Sequence, residues 1–157
     1  MIDIDALGAT RRVADHEAPL DRALDGMEDA CDDAALATAW ARKALKIEPC
    51  CLSALLVLAE HAATPVERVA LLKEAVSTHQ RAVLADPTNE IASYWDVDAK
   101  PILAAIALLG DELAEMGDID GAAGCYREVI ERDDDDRLDV QRSMDVLMAG
   151  RRLPLKP

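Results

Sequence analysis

The chain has 157 residues and a mass of 17.0 kDa, enough for one domain with a single core. It holds 29 alanines and 20 leucines but no phenylalanine, and only 3% of its residues are aromatic. Alanine and leucine favour helices, whereas sheets draw on β-branched and aromatic residues, so an all-β fold is excluded. The net charge of −14 opposes binding to phosphate backbones and to anionic membranes. We therefore expect neither nucleic acid nor a membrane as a partner.

The start of the chain is acidic where a secretory signal needs basic residues, and the longest apolar stretch, residues 101–110, is about half of what a membrane span requires. These features predict a cytoplasmic protein. The cysteines lack the spacing of a zinc or redox motif, so we expect reduced, buried thiols and no cofactor. The four cysteines are Cys31, Cys50, Cys51 and Cys125.

Two helices are predicted after an N-terminal segment of residues 1–17. A stripe of apolar residues indicates a first helix over residues 20–30. Asp32 and Asp33 are N-cap candidates for a second helix over residues 34–47. The apolar side chains of this second helix should pack inward; they are Ala37, Ala41, Ala44, Leu45 and Ile47.

The middle of the chain predicts two more helices and an insertion. The third helix, residues 51–63, is apolar on most sides and should lie centrally. The sequence Thr-Pro-Val-Glu at residues 64–67 is typical of a helix start, and a long fourth helix is predicted to run from it to residue 85. Residues 86–100 break the helical pattern and are predicted to form an inserted loop.

Three further helices are predicted in the last third of the chain. The fifth covers residues 101–116 and is closed by a glycine, and the sixth covers residues 118–132. The acidic run 133–136 separates the sixth helix from a capping helix over residues 137–149. Residues 150–157 should form a short tail.

The helix pairs repeat at a period near 34 residues. The pattern Ala37-x3-Ala41-x2-Ala44-Leu45 matches Ala122-x3-Tyr126-x2-Val129-Ile130. With these residues, and with Gly110 and Ala59 in corresponding first helices, the chain resembles the tetratricopeptide repeat (TPR) family over about residues 34–133. The insertion, with Tyr94 and Trp95, also resembles bacterial TPR proteins related to the suppressor-of-tumorigenicity group.

The resemblance implies an all-α fold over residues 1–157: a single domain that is a short, right-handed, TPR-like superhelix of antiparallel helix pairs, with about six or seven helices. Small residues such as Gly110 stand where the motif brings two helices into close contact. Helical spacing places Trp40 and Tyr126 in the core. Arg68 departs from the pattern because it takes the place of a usual small residue.

In the TPR family the first helix of each pair lines a concave groove. Here that groove would be apolar and acidic, and it would select a partner segment with basic residues. The residues that the resemblance places on it are Leu56, Glu60, Leu108, Asp111 and Glu115. Alternatively, the carboxylates form an ordinary solvated face. Tyr94 and Trp95 either contact a partner or fill a gap in the helix stack.

The basic residues in the middle of the chain also allow two interpretations. Either they form a patch for an acidic partner, or they complement helix dipoles and keep the protein soluble. These residues are Arg42, Lys43, Lys46, Lys73 and Arg81.

No constellation of catalytic residues is visible. The three histidines stand apart from any nucleophile motif, and the acidic run lacks the glycine and glutamate of a calcium loop. We therefore predict a non-enzymatic adaptor that binds a segment of another protein. The alternatives are a self-assembling homo-oligomer and a metal- or redox-dependent regulator.

Overall fold

A computed structural model of the protein describes residues 18–30, 32–89 and 99–152. These residues form seven α-helices and a 3-10 helix at Pro87–Asn89, with no strand among them. The α-helices are α1 (Ala18–Asp29), α2 (Ala34–Ile47), α3 (Leu52–Glu60), α4 (Pro65–Ala85), α5 (Ala99–Glu115), α6 (Ile119–Ile130) and α7 (Val140–Arg152). The predicted all-α class is confirmed. The predicted segment 1–17, most of the predicted loop and the end of the tail lie outside the described residues.

The chain divides into two compact units, residues 1–75 and 76–157, and the division falls within α4. In the first unit α2 packs against both α1 and α3, and α1 also contacts α3. Most of its buried side chains are alanines, and the larger ones are Met27, Trp40, Leu55, Val69 and Leu72. The ring of Trp40 lies directly over Gly26 of α1, at a distance that leaves no room for a Cβ atom.

In the second unit α5 packs along α6, and α7 packs against α6 and contacts α5. A three-residue turn joins α5 to α6. Gly117 has a left-handed φ of 81°, its N–H donates to the carbonyl of Ala114, and the N–H of Asp118 donates to the carbonyl of Leu113. This pair of bonds ends α5 in a Schellman motif. Asp118 then caps α6 by accepting from the N–H of Gly121, so the predicted helix boundary at Gly117 is confirmed.

The start of α4 follows the predicted capping pattern. Thr64 Oγ1 accepts from the N–H of Glu67 at 3.2 Å, and Glu67 Oε2 accepts from the N–H of Ala63 at 3.2 Å. Pro65 occupies the first helical position, where no N–H is needed. The guanidinium of Arg68, which departs from the repeat pattern, donates to the carbonyl of Ala59 at the end of α3. Arg68 thus adds a side-chain hydrogen bond to a helix-end carbonyl that also accepts from the N–H of Ala62.

The last helix differs from the prediction at both ends. It begins at Val140 rather than at residue 137, because Asp136 and Asp139 adopt left-handed φ values of 49° and 53° that interrupt a helix. Asp136 Oδ1 accepts from the N–H of Gln141 in the first turn, so the acidic run caps this helix. Asp133, the first residue of this run, is only 4% exposed. At the other end α7 continues through Gly150 to Arg152.

The packing of α2 follows the prediction with one exception. Ala37, Ala41 and Ala44 are buried and Leu45 is half-buried, but Ile47 is 40% exposed, so its predicted inward position is wrong. Ile47 is the final residue of α2 and lies beyond Ala44, the last buried residue, at the edge of the packed region. None of the described helices combines the length and apolar character that crossing a bilayer requires.

Candidate functional site

The main candidate site is an open groove of about 630 Å³ between α5 and α7, which we call the α5–α7 groove. Tyr126 of α6 forms its floor, since this residue lines the groove and is only 2% exposed. The side chains that decide its chemistry are Asp111 and Glu115 of α5, Asp139 just before α7, and Arg142, Val146 and Leu147 of α7. All of these residues belong to the second unit.

A hydrogen bond fixes one carboxylate of the groove. The hydroxyl of Tyr126 donates to Asp111 Oδ1 at 2.6 Å, a distance typical of a bond to a charged acceptor. Burial raises the pKa of Tyr126 far above its usual value, and the hydrogen bond and negative charge of Asp111 raise it further, against a smaller opposing contribution from Ser143. The phenol is therefore a neutral donor throughout the physiological range, and it holds Asp111 at the edge of the groove.

The groove combines negative charge with apolar surface. Asp111, Glu115 and Asp139 contribute three negative charges and Arg142 one positive charge, which leaves a net charge of −2. The side chain of Val146 is 67% exposed beside them. Such a surface can bind a positively charged group next to an aliphatic one.

The sequence-predicted residues of α5 share one face of that helix. Leu108 lies one turn before Asp111, and Glu115 one turn after it, so the three form a stripe along α5. Leu108 is 51% exposed, which is unusual for a leucine flanked by the buried Ala107 and Leu109. Asp111 and Glu115 are also exposed.

The other predicted site residues are not part of this groove. Leu56 and Glu60 lie one turn apart on α3 in the first unit, where Leu56 is half-buried and Glu60 is exposed. Tyr94 and Trp95 lie outside the described residues.

Sequence reasoning missed the contribution of α7. The prediction gave no binding role to the capping helix over residues 137–149, which contains Asp139, Arg142, Val146 and Leu147. The available signal was the predicted repeat pattern, because in a repeat of helix pairs the helix that follows a pair takes the position of the next first helix.

A second, smaller cavity of about 350 Å³ lies between the C-terminal half of α4, α5 and α6. Its walls include the buried residues Ile102, Leu103 and Ile106, and His79 lies at its rim with Glu128 and Arg132. Burial lowers the pKa of His79; Glu128 opposes this shift and Arg132 adds to it. Sequence patterns did not indicate this cavity, because it depends on how three consecutive helices pack against one another.

The cysteines do not form a reactive cluster in the part of the chain that the structure describes. Cys51 is buried and serves as the N-cap residue of α3, and burial raises the pKa of its thiol. Cys50 is exposed in the turn after α2, so the expectation of burial is wrong for this residue. Among the described residues no group of three or more His, Cys, Asp or Glu side chains is arranged to hold a metal ion. The sequence matches no model of a known protein family, and a search of curated proteins finds no match either.

Proposed function

We propose that the protein is a non-enzymatic, TPR-like adaptor that binds a segment of a partner protein in the α5–α7 groove. One observation carries this proposal: the groove places a net charge of −2 beside the exposed Val146 and the half-buried Leu147. The partner segment would present lysine or arginine next to leucine, isoleucine or valine. With a net charge of −14, the protein is better suited to such a segment than to nucleic acid.

The two kinds of contact contribute differently. Exposed ion pairs are worth about 0.2–1 kcal/mol each, so Asp111 and Glu115 would provide selectivity and faster association more than affinity. Burial of aliphatic surface against Val146 and Leu147 would contribute about 25 cal/mol per Å². The bond from Tyr126 favours binding because Asp111 is already oriented and loses little freedom when a partner arrives.

The arrangement of the helices within each unit supports the TPR-like assignment. In the first unit a packed pair, α1 and α2, is followed by α3, which contacts α1. In the second unit the pair α5 and α6 is followed by α7, which contacts α5. A stacked repeat requires contact between the first helix of one pair and the helix that follows that pair. The described cysteines, Cys50, Cys51 and Cys125, form no disulfide, which suits the proposed cytoplasmic location.

Selection from a random peptide library tests the proposed groove. We expect enriched peptides to combine a basic with an aliphatic residue, and to bind the double variant Asp111→Lys/Glu115→Lys at least about tenfold more weakly. The matched control is Asp25→Lys/Glu28→Lys, the same change of charge on exposed residues of α1, which should leave binding unchanged. Peptides that lack basic residues, or that bind both variants equally well, would contradict the groove assignment. Circular dichroism should show intact helices in both variants.

A further inference from the structure

We infer that the C-terminal end of α2 in a second copy of this chain occupies the α5–α7 groove, so that copies associate head to tail. This inference rests on the proposed function, because it takes the groove to be a binding site. The proposed occupant is part of the chain itself, the exposed C-terminal end of α2.

The end of α2 carries the combination of groups that the groove requires. Arg42 and Lys46 are exposed and lie one turn apart on the helix. Lys43 extends over the ring of Trp40, with its Nζ 5.2 Å from the ring centre. Ile47 is 40% exposed beside these bases, although a large aliphatic side chain would ordinarily be buried. With Glu48 counted against the three bases, this surface has a net charge of +2.

The two surfaces are complementary in sign and in size of charge, +2 against −2. Ile47 provides an aliphatic side chain to set against Val146, which is 67% exposed. A basic surface is unusual in a protein of net charge −14. The end of α2 lies within residues 36–85, a segment that holds six bases and four acids. At physiological salt the screening length is about 8 Å, so repulsion between the whole molecules is weakened more than contact between the two surfaces.

Because the two surfaces differ, the association is heterologous. One copy offers a groove to the next and still presents its own α2 end to another, so the chain can continue unless it closes into a ring. This geometry makes a specific prediction: disabling either surface stops growth, and mixing the two disabled forms restores a single contact.

Sedimentation equilibrium with two double variants tests this arrangement. The groove variant is Asp111→Lys/Glu115→Lys, and the helix-end variant is Arg42→Gln/Lys46→Gln, which removes the positive charge of the α2 end without making it complementary to the altered groove. We expect the average mass of the unmodified protein to rise between about 10 µM and about 1 mM, while each variant alone remains monomeric. An equimolar mixture should form a 1:1 complex and nothing larger, because it contains one intact groove and one intact α2 end.

The control variant is Lys73→Gln/Arg127→Gln, which changes the net charge as much as the helix-end variant but at exposed sites elsewhere; it should associate like the unmodified protein. An unmodified protein that is monomeric at every concentration would overturn the inference. So would a groove variant that still associates by itself, or a mixture that stays monomeric. If the protein is monomeric while library peptides still bind the groove, self-association alone fails; if peptides do not bind either, the proposed function fails with it.

Discussion

Gly110 on α5 faces the ring of Tyr126 on α6 so closely that a Cβ atom on Gly110 would lie 2.6 Å from Cε1 of the ring. A ring buried in the core cannot move aside as the end of a flexible side chain can. We therefore expect Gly110→Ala to lower the free energy of unfolding by about 1–2 kcal/mol, since overpacking outweighs the gain in helix propensity. Urea denaturation measures the change.

Gly124 provides the matched control for this prediction. It also lies within a helix, α6, but no atom lies within 4 Å of the position that its Cβ would take. Gly124→Ala should raise the free energy of unfolding by about 0.5–1 kcal/mol, the usual gain from replacing glycine by alanine in a helix. Equal effects at the two positions would show that Gly110 is not in close contact with Tyr126.

The hydrogen bond between Tyr126 and Asp111 can be tested by a double-mutant cycle. Tyr126→Phe removes the donor and Asp111→Ala removes the acceptor, and each should lower the free energy of unfolding. We expect a coupling of about 1 kcal/mol, because the double variant loses a bond that either single variant has already broken. Thermal and urea denaturation of the four proteins give this value. Strictly additive effects would mean that the two groups do not interact in solution.

The elements of the fold were largely predictable because their signals are local. The bounds of α2 and α4 agree with the prediction, since an acidic N-cap, a Thr-Pro-x-Glu start and a following proline each act within one helical turn. Gly117 marked the turn between α5 and α6 for the same reason. The start of α7 was missed because left-handed aspartates, unlike glycines, are not distinguished by the sequence.

The candidate site was only partly predictable because it depends on which helices meet. The repeat pattern indicated Asp111 and Glu115. Other charged and aliphatic side chains of the groove lie 24 or more residues after Glu115 in the sequence; they include Asp139, Arg142 and Val146. The exposure of Ile47 could not be predicted either, because helical spacing indicates the direction of a side chain but not where the neighbouring helix ends.

The N-cap of α2 gives a prediction with a neighbouring control. Asp32 and Asp33 are both N-cap candidates by sequence, but it is Asp33 Oδ1 that accepts from the N–H groups of Ala35 and Leu36, at 3.1 and 3.0 Å. We expect Asp33→Ala to lower the free energy of unfolding by about 1 kcal/mol and Asp32→Ala to change it by less than about 0.5 kcal/mol. Urea denaturation compares the two. The opposite order would assign the cap to Asp32.

His79 should make the free energy of unfolding decrease at acidic pH. Because burial lowers the pKa of His79 below its usual 6.5, the unfolded chain binds this proton more readily than the folded protein does. The resulting stability is fully present above about pH 6.5 and is lost as the pH falls from there to the pKa of the folded protein. The loss of unfolding free energy caused by His79→Gln should therefore become smaller as the pH falls through this window. Urea denaturation from pH 5 to pH 8 measures this change. The control His61→Gln leaves His79 in place, so its unfolding free energy should still fall at acidic pH. NMR titration of the His79 ring is a direct check. A midpoint at or above pH 6.5 would contradict the packing of this side chain at the rim of the smaller cavity between α4, α5 and α6.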